Sequence, residues 1–589
     1  MIEKNRDQLI RELKNDKMWD VIVIGGGATG FGAALEAATR GFQTLVLERR
    51  DFGAGTSSRS TKLVHGGVRY LRQGDISLVR TALAERQRML ENAPVITRRQ
   101  PFIIPVYSRW DKLFYGIGLK VYDLLAGRKN IGHSRLLSRA ETIKQLPAIR
   151  DILTTDSTLP GHNASISPRK KTLRGGILYY DGQFDDSRMI IAMLQALFRV
   201  DGRALNYVEV TGLEKDQGAM HVSGNQVSGN QVSSNQVSGN QVSGNRVSGN
   251  RVSGMFVKDL ESGEQFRVRG RVVINATGIF ADEVREMDDE MAKPMIRTSQ
   301  GVHLVLDRSF HPGENAIMIP KTADGRVLFA VPWHDKVILG TTDTPVDHKD
   351  SDPMALPEEI DYLLSYAAKY LKKAPTREDV RSVYAGLRPL IDVTGRNDAR
   401  GKSTTTSRKP AKTSSLSRDH TLFVDPSGLI TITGGKWTTW RHMGEETIDL
   451  AENALGRKSE GKKTSISSTK HLFLDGMMVP GGTMRPREAM RPSDAMELGD
   501  AMEPGDDIPI HPGIPITPNM IKFAVRFEMA RTVEDLLARR TRCLFLDAKA
   551  AAEVAKTVSS YLAEELGRDD EWAKNQTENF LSLSEKYRL

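Results

Sequence analysis

The sequence predicts an α/β protein that begins with a Rossmann-type dinucleotide-binding domain. Residues 21–24 form a continuous apolar run, as expected for a strand buried on both faces of a sheet. Three glycines and an Ala-rich helix follow over residues 25–41, and residues 45–47 form a second apolar strand. Strand, helix and strand in this order make a βαβ unit, in which the glycines open the helix.

The glycine motif predicts what this unit binds. Gly25 permits the tight turn after the strand, Gly27 lets the main chain approach a pyrophosphate, and Gly30 lets the helix pack close to the strand. The pyrophosphate then lies over the helix N-terminus, where free N–H groups and the helix dipole favour negative charge. Glu48, at the end of the second strand, is predicted to bind the ribose hydroxyls of the adenosine. A glycine-rich turn without a ligand is the alternative, which this context disfavours.

Two later strands bring further small residues to the same edge of the predicted sheet. Residues 272–275 form an apolar strand that ends in Ala-Thr-Gly, and the strand over residues 429–433 ends in Gly-Gly-Lys. The second strand places another helix N-terminus at the cofactor, where it can stabilise negative charge. The glycine motif does not distinguish FAD from NAD. The segment 52–71, rich in Ser, Thr and Gly, suits a loop that lies against a flat ring system and phosphates.

The composition limits the classes of partner and of metal site. Apolar residues make up 39% and charged residues 27% of the 589 residues, so two or three globular domains are expected. The formal net charge of +9 suits an anionic partner such as a phosphate substrate, anionic lipid or nucleic acid. Because Cys543 is the single cysteine, a disulfide framework and a cysteine-ligated zinc or iron–sulfur site are excluded, and no metal is predicted. The N-terminal segment is too charged for a secretory signal. No apolar run reaches the roughly 18–20 residues of a membrane span, so any membrane contact is expected to be peripheral.

Three low-complexity segments interrupt the chain. The VSGNQ-type repeat of residues 222–254 has one Val per unit, too little apolar surface to offset the entropy of ordering it. We expect it to be a flexible surface loop between two strands, its last unit running into a strand over residues 255–258. Residues 396–415 are polar and basic and are expected to be disordered, and residues 456–516 are interpreted as a linker. Helix resumes after Thr517, a predicted N-cap.

Seven motifs give the chain a family resemblance. In chain order they are IGGGATG, TSSRSTKLVHGGVRYL, VINATG, GTTDT, AGLRPL, SRDHTL and TGGKWTTWR, over roughly residues 19–450. With these motifs the sequence resembles the FAD-dependent glycerol-3-phosphate dehydrogenases. The resemblance implies FAD as the cofactor and a Rossmann-type FAD-binding domain with an α+β substrate domain and a small helical C-terminal unit. The C-terminal region resembles the helical cap of that family only loosely and is shorter.

The resemblance also implies domain boundaries and cofactor contacts. A polar extension, 1–18, precedes the FAD-binding domain, which takes 19–75, 175–290 and 425–455; the substrate-binding domain takes 76–174 and 291–424; the linker 456–516 leads to the helical C-terminal unit, 517–589. The residues expected to contact FAD are Gly25, Gly27, Gly30, Glu48, Thr56, Ser57, Ser58, Lys62, Leu63, His65, Ala276, Thr277, Gly278, Gly435, Lys436 and Thr438.

The substrate site implied by the resemblance is rich in cations. Oxidation of a secondary alcohol requires a base for the hydroxyl proton, a hydride acceptor over the carbon, and positive charge for the developing alkoxide and a phosphate. Substrate binding is assigned to Arg69, Tyr70, Arg388 and Lys436, and Arg418 joins Arg388 and Lys436 as a catalytic residue. An arginine fork binds a phosphate in bidentate fashion and a lysine adds a point charge. Which cation serves the phosphate and which the alkoxide is left open.

Two histidines are candidates for the base, because imidazole titrates near neutral pH. The resemblance favours His303, in QGVHLVL, as catalytic, whereas His65, in KLVHGG, is expected to neighbour the flavin. A structural role is the alternative for each histidine, as a salt-bridge or surface role is for each arginine. Arg69 and Arg388 lie in apolar settings, which favours function, whereas the assignment of Arg418 rests on the resemblance.

The predicted reaction is oxidation of sn-glycerol 3-phosphate to dihydroxyacetone phosphate with hydride transfer to flavin. Because the chain has no cysteine cluster for an internal electron relay, a membrane quinone is the expected acceptor, reached by docking on an anionic membrane surface. The protein is then cytoplasmic and peripherally associated with the inner face of the cytoplasmic membrane, and the resemblance leaves room for a homodimer.

Three other functions were weighed against this one. Oxygen could replace the quinone, which would make the protein an oxidase. A related FAD-dependent amino-acid or hydroxy-acid oxidoreductase needs an arginine for a carboxylate, and the further cations would be surplus. A non-catalytic flavin-binding protein would not need Arg388 or Lys436, and both are present. No nucleic-acid partner is predicted, because the basic residues are not interleaved with aromatic ones.

Overall fold

A computed structural model of the protein describes residues 6–68, 76–155, 169–216, 250–320, 322, 326–391, 420–455, 467–474 and 508–589. Three predicted site residues, Arg69, Tyr70 and Arg418, lie outside the described residues. So do most of the VSGNQ repeat, the whole basic insert and most of the linker.

The secondary structure alternates between strands and helices over most of the chain. The helices are α1 Arg6–Lys14, α2 Ala28–Thr39, α3 Ile76–Asn92, α4 Arg109–Ala126, α5 Arg139–Gln145, α6 Asp186–Arg199, α7 Ala281–Asp288, α8 Pro357–Tyr370, α9 Trp440–Ala454, α10 Pro518–Glu528, α11 Cys543–Leu546, α12 Ala548–Leu566 and α13 Asp570–Glu585. The strands are β1 Met18–Ile24, β2 Thr44–Leu47, β3 Leu63–Val64, β4 Thr97–Val106, β5 Arg135–Leu137, β6 Ile152–Thr155, β7 Arg169–Thr172, β8 Gly175–Phe184, β9 Arg203–Leu205, β10 Val208–Asp216, β11 Arg251–Asp259, β12 Gln265–Asn275, β13 Ile296–Asp307, β14 Ala316–Ile319, β15 Leu328–Trp333, β16 Lys336–Gly340, β17 Thr344–Val346, β18 Val380–Ile391, β19 His420–Val424 and β20 Ile430–Gly434.

The first sheet confirms the predicted Rossmann-type unit. Its strand order is β10-β11-β12-β1-β2-β9, with β20 beside β12 and β19 beside β20. Strand β1 runs parallel to β2 and β12, and β12 runs parallel to β20. Helices α2 and α9 approach each other closely at Gly32 and Gly444. Any larger side chain at Gly444 would collide with the main chain of Gly32. The carboxyl ends of four strands therefore meet at one edge of this sheet.

The second sheet forms the rest of the α/β body. Its strand order is β17-β13-β16-β15-β14-β4-β8-β3, and β18 pairs with β13 along nearly the whole length of both strands. Residues 76–150 have a mostly helical sequence pattern, yet they include β4, a ten-residue strand paired throughout with β8. Pro101 and Pro105 obscured the strand pattern, since proline removes a main-chain donor and is uncommon within sheets.

The C-terminal unit is helical, as predicted. Thr517 caps α10 by accepting a hydrogen bond from Met520 N at 3.2 Å, and Pro518 takes the first helical position. A π-helical turn over Asp535–Arg540 then leads to α11, α12 and α13. Their apolar faces share one core with Val305 and Tyr384 of the second sheet, so this unit packs on the body of the molecule.

The repeat is inserted between two paired strands. Strands β10 and β11 are antiparallel, with Asp216 opposite Arg251 at the end where residues 217–249 leave and return. The predicted strand over residues 255–258 lies within β11. Among all the described residues, no helix is both long enough and apolar enough to cross a membrane.

Candidate active site

A cleft opens at the carboxyl edge of the first sheet, where open α/β sheets bind ligands. Gly25 adopts φ +107° at the tight turn after β1, and its N–H donates to Leu47 O at 2.8 Å, which continues the pairing of β1 with β2. A Cβ at Gly25 would lie 2.7 Å from Ala276 O, and a Cβ at Gly30 would collide with Gly25 O. The turn therefore admits glycine alone, and its free surface fits the close main-chain approach that a pyrophosphate needs.

Glu48 lies at the end of β2 and lines this cleft. Its carboxylate accepts hydrogen bonds from Gly26 N at 2.7 Å and from Arg50 N at 2.8 Å. Burial raises the pKa of Glu48, while these two N–H donors and the Arg50 charge oppose that rise. The carboxylate is thus held at the mouth of the glycine turn, the position from which it was predicted to reach ribose hydroxyls.

The segment after β2 forms one wall of the cleft. Ser57 Oγ accepts a hydrogen bond from Ala28 N at 3.0 Å, at the N-terminus of α2. Trp437 Nε1 donates to Ser57 O at 2.9 Å, and Thr56 Oγ1 donates to Leu387 O at 2.6 Å. This wall is therefore tied at once to the helix that opens the site, to the turn before α9 and to the second sheet.

Most predicted cofactor residues line the cleft or the cavity that joins it. The cleft is lined by Gly25, Gly27, Glu48, Thr56, Ser57, Ala276, Thr277, Gly278, Gly435 and Lys436. The adjoining cavity is lined by Leu63, His65 and Thr438, and again by Thr56, Gly435 and Lys436. The shared residues place the two spaces side by side.

Lys62 and Ser58 are placed differently. The fully buried Lys62 ammonium lies 2.6 Å from Asp186 Oδ1 and donates to Ser58 O at 2.7 Å. A buried ammonium requires such a carboxylate partner. We expected the Lys62 side chain to face the cleft, but it points to Asp186 instead. It fixes the base of the loop that forms the wall.

The second cavity carries the predicted base. His303 lies on β13, is 2% exposed, and stacks on Tyr384 of β18 with ring centroids 4.8 Å apart. Its Nε2 lies 2.9 Å from Thr61 Oγ1, and both residues line the cavity. Burial first, and then the charges of Arg388 and Lys62, hold the pKa of His303 well below its usual value. The imidazole is thus neutral, the form in which a base accepts a proton.

Arg388 faces the same cavity from β18. Its Nη2 donates to Thr341 Oγ1 at 3.1 Å, and its Nη1 lies 3.5 Å from Asp343 Oδ1. A Cβ at Gly301 would collide with the guanidinium, so glycine at that position makes room for it. The strand register brings Arg388 close to Gly301 and His303. Strand β18 pairs with β13 so that Gly301 lies opposite Gly386 and His303 lies opposite Tyr384.

Lys436 lines both spaces from the turn before α9. Gly434 and Gly435 precede it with φ +77° and +78°, a left-handed conformation that side chains disfavour. Beside this turn, His420 Nε2 contacts the carboxylate of Glu446. Within the described ranges, no group of three or more His, Cys, Asp or Glu side chains is placed to bind a metal ion.

Comparison with known proteins decides the family. The family described as FAD dependent oxidoreductase matches residues 20–440, and the one described as the C-terminal domain of alpha-glycerophosphate oxidase matches residues 493–573. A mitochondrial glycerol-3-phosphate dehydrogenase of Homo sapiens is 34% identical over 608 residues, covering 98% of this chain and 74% of the relative. The chain belongs to the FAD-dependent glycerol-3-phosphate dehydrogenase family.

Two further relatives support this membership. A mitochondrial glycerol-3-phosphate dehydrogenase of Arabidopsis thaliana is 33% identical, covering 96% of this chain and 85% of the relative. The crystal structure of a Bacillus halodurans glycerol-3-phosphate dehydrogenase complexed with FAD superimposes with a TM-score of 0.69 at 27% identity. That alignment covers 100% of this chain and 98% of that one. The glycine turn of the present chain, with a main-chain surface that a Cβ would fill, fits the cofactor of the family.

Family motifs identified the side chains that face the cavities better than the residues that hold them. His303, Arg388 and Lys436 lie around one cavity, as expected. Thr61 contacts His303 and Thr341 contacts Arg388, and neither threonine was predicted from the sequence. Both lie within family motifs, TSSRSTKLVHGGVRYL and GTTDT, so a hydroxyl inside each motif was the available signal.

Proposed function

We propose that this protein oxidises sn-glycerol 3-phosphate to dihydroxyacetone phosphate and that FAD accepts the hydride. The observation that carries the proposal is that two spaces share the residues between them, one with dinucleotide-binding features and one with a neutral imidazole among cations. Bound FAD would supply the two-electron acceptor for the hydride. The glycine turn, Glu48 and the segment 52–58 would hold it.

The side chains of the second cavity have complementary tasks in this proposal. Arg388 and Lys436 bind the anionic substrate and stabilise the developing alkoxide. His303 takes the hydroxyl proton at Nε2, the ring nitrogen that lies 2.9 Å from Thr61 Oγ1. Arg69, Tyr70 and Arg418 keep their sequence-based assignments to this site as proposals. The number of cations assigned to this site favours a phosphate substrate over a carboxylate substrate, because a carboxylate would need fewer of them.

The experiment is anaerobic reduction of the flavin. Purified protein with a flavin spectrum should bleach rapidly on addition of glycerol 3-phosphate and should not bleach with glycerol or an amino acid. Arg388→Met should keep the flavin spectrum and lose at least about a hundredfold in bleaching rate, as expected for loss of a preorganised charge. Arg381→Met is the matched control, because Arg381 lies on the same strand but pairs with Asp307 at the surface. A yellow protein that glycerol 3-phosphate does not bleach would exclude the proposed substrate.

A membrane quinone as electron acceptor is supported by one face of α4. Its residues Trp110, Leu113, Phe114, Ile117, Val121 and Leu124 are 40–79% exposed and recur at helical spacing. The opposite face, with Leu119 and Tyr122, is buried. Residues 109–135 contain six Lys or Arg and two Asp, so cations flank the apolar face. We propose that this face docks on anionic lipid at the inner face of the cytoplasmic membrane, close to the quinone pool.

Oxygen is the second candidate for the acceptor. Residues 493–573 match the C-terminal domain of alpha-glycerophosphate oxidase, which favours an oxidase activity on the same substrate. Stoichiometric hydrogen peroxide formation in air would support the oxidase. Turnover that depends on an added quinone and yields no peroxide would support the dehydrogenase.

A further inference from the structure

The loop between β16 and β17 presents alternate residues to opposite sides. Thr341 lines the second cavity, and Thr341 and Asp343 contact the guanidinium of Arg388 at 3.1 Å and 3.5 Å. Ser299 Oγ donates to Asp343 Oδ1 at 2.5 Å and so fixes this carboxylate against β13. The position of Arg388 in the cavity therefore depends on the position of the loop.

The other side of the loop is held by Glu359, a residue of α8 that does not line the cavity. Its Oε1 accepts hydrogen bonds from Thr342 Oγ1 at 2.7 Å and Thr344 Oγ1 at 2.6 Å. Its Oε2 accepts from Gln300 Nε2 at 2.7 Å and Leu356 N at 3.1 Å. Glu359 is 3% exposed, so this buried carboxylate has four donors around it and little contact with water.

The same anchor reaches the strand that carries the base. Thr342 Oγ1, which donates to Glu359, accepts a hydrogen bond from Val302 N at 2.9 Å. Val302 stands between Gly301, which makes room for the guanidinium, and His303. Charge-assisted hydrogen bonds are short and directional, so a carboxylate at this point sets both the loop and the strand.

We propose that Glu359 is a positioning residue for the active site, acting through the loop 341–344 to hold Arg388 at its place in the cavity. The inference deepens the proposed function, on which it rests, since the placement of Arg388 matters only if the cavity binds an anionic substrate. Glu359 itself touches neither substrate nor cofactor. Its effect on the reaction passes through Thr342 and Thr344 to Thr341, Asp343 and the guanidinium.

The first test is Glu359→Gln. A carboxamide can accept from Thr342 and Thr344 but places a donor against Gln300 Nε2 and Leu356 N, so the loop should shift. We expect kcat/KM for glycerol 3-phosphate to fall about tenfold to a hundredfold, the size of effect expected from misplacing a catalytic group by an ångström. The matched control is Glu358→Gln, the exposed neighbour on α8, which should leave kcat/KM within about twofold.

A double-mutant cycle distinguishes positioning from general support of the fold. If Glu359 acts through Arg388, Glu359→Gln should cost far less in an Arg388→Lys background than in the native background. Equal losses in both backgrounds would overturn the proposal. If Glu359→Gln fails to retain FAD, Thr344→Val takes its place in the cycle, because it removes one donor and keeps the buried carboxylate.

A crystal structure of the Glu359→Gln protein decides the matter independently of turnover. The hydrogen bond between Arg388 Nη2 and Thr341 Oγ1 should be broken, and an unmoved guanidinium would overturn the proposal even if activity fell. Failure of the proposed function is recognised separately, because native and Glu358→Gln proteins would then both fail to bleach with glycerol 3-phosphate.

Discussion

His303 is the residue whose surroundings make the sharpest prediction. Its pKa lies well below 6.5, because burial disfavours the imidazolium and the Arg388 and Lys62 charges oppose it further. A base must be neutral, so kcat/KM should stay flat through neutral pH and fall only below pH 6.5. Arg388→Gln removes one cation, which should raise the pKa of His303 and move the acid limb to higher pH. The measurement is the pH profile of kcat/KM under anaerobic single turnover.

The test is the pH at which kcat/KM falls on the acid side of the profile. The absolute value of kcat/KM does not test it, because Arg388→Gln also slows the reaction. His303→Gln should abolish the limb and lower kcat/KM by about a hundredfold or more, as removal of a general base does. An acid limb near or above pH 6.5 in the native protein, or one that does not move in Arg388→Gln, would contradict the assignment of His303.

The groups with distinctive chemistry were predictable from the sequence, whereas the groups that place them were not. His303, Arg388 and Lys436 stand in family motifs. Thr61 has a hydroxyl and Glu359 a carboxylate, and both residue types are too common to mark a site in the sequence. Their relation to the site depends on long-range register, such as Gly301 opposite Gly386, and on how α8 packs under the loop. Lys62 shows the opposite error, because its motif suggested the cofactor while burial demanded a partner, Asp186.

At the scale of elements, sequence patterns predicted the βαβ unit and the helical C-terminal unit, which are strongly patterned segments. The repeat between β10 and β11 yields a prediction of its own. The two strands pair up to Asp216 and Arg251, so the hairpin is complete without residues 222–249. Replacing these residues by a short Gly-Ser linker should leave flavin content and kcat/KM nearly unchanged, since lengthening or shortening a surface loop costs little. A large loss of bound FAD, measured by absorbance after gel filtration, would show that the repeat contributes to the site.

Helix α4 carries the prediction for the membrane. Trp110 and Leu124 are each 79% exposed, and charged replacements at both should remove apolar surface from the interface with lipid. We expect Trp110→Glu/Leu124→Glu to bind anionic phospholipid vesicles at least about tenfold more weakly, because each buried apolar side chain contributes on the order of 1.5–3 kcal/mol. Vesicle co-sedimentation measures this, and raised salt should weaken the native interaction through the flanking cations.

Two controls make the membrane prediction specific. Met291 is 85% exposed and lies outside α4, so Met291→Glu should bind vesicles as the native protein does. Turnover with a water-soluble dye should be unchanged in the α4 variant, whereas turnover with quinone in vesicles should fall. Equal vesicle binding by all three proteins would place the membrane contact elsewhere on the molecule.

At the scale of the whole molecule, the C-terminal unit contacts the segment after β2, which forms one wall of the cleft. Asp51 is fully buried between the cleft and this unit, and Arg540 Nη2 lies 2.8 Å from its Oδ1. Burial would raise the pKa of Asp51, but Arg540 and Arg539 lower it to about 2, so the carboxylate stays ionised. The neighbouring Arg50 lines the cleft and reaches Glu534 of the C-terminal unit at 3.3 Å.

We expect this contact to couple FAD binding to docking of the C-terminal unit, because both would act on the segment that begins at Glu48. Arg540→Met leaves a buried carboxylate with one cation fewer, and breaking a buried pair costs about 3–5 kcal/mol. We expect that variant to release FAD at least about tenfold faster, with its C-terminal helices cut sooner by protease. Coupling is reciprocal, so added FAD should slow that cleavage. Arg526→Met, which removes a pair with Glu565 inside the unit, is the control. If FAD release is the same in both variants, the ion pairs at Asp51 hold the C-terminal unit in place but do not transmit its docking to the cofactor.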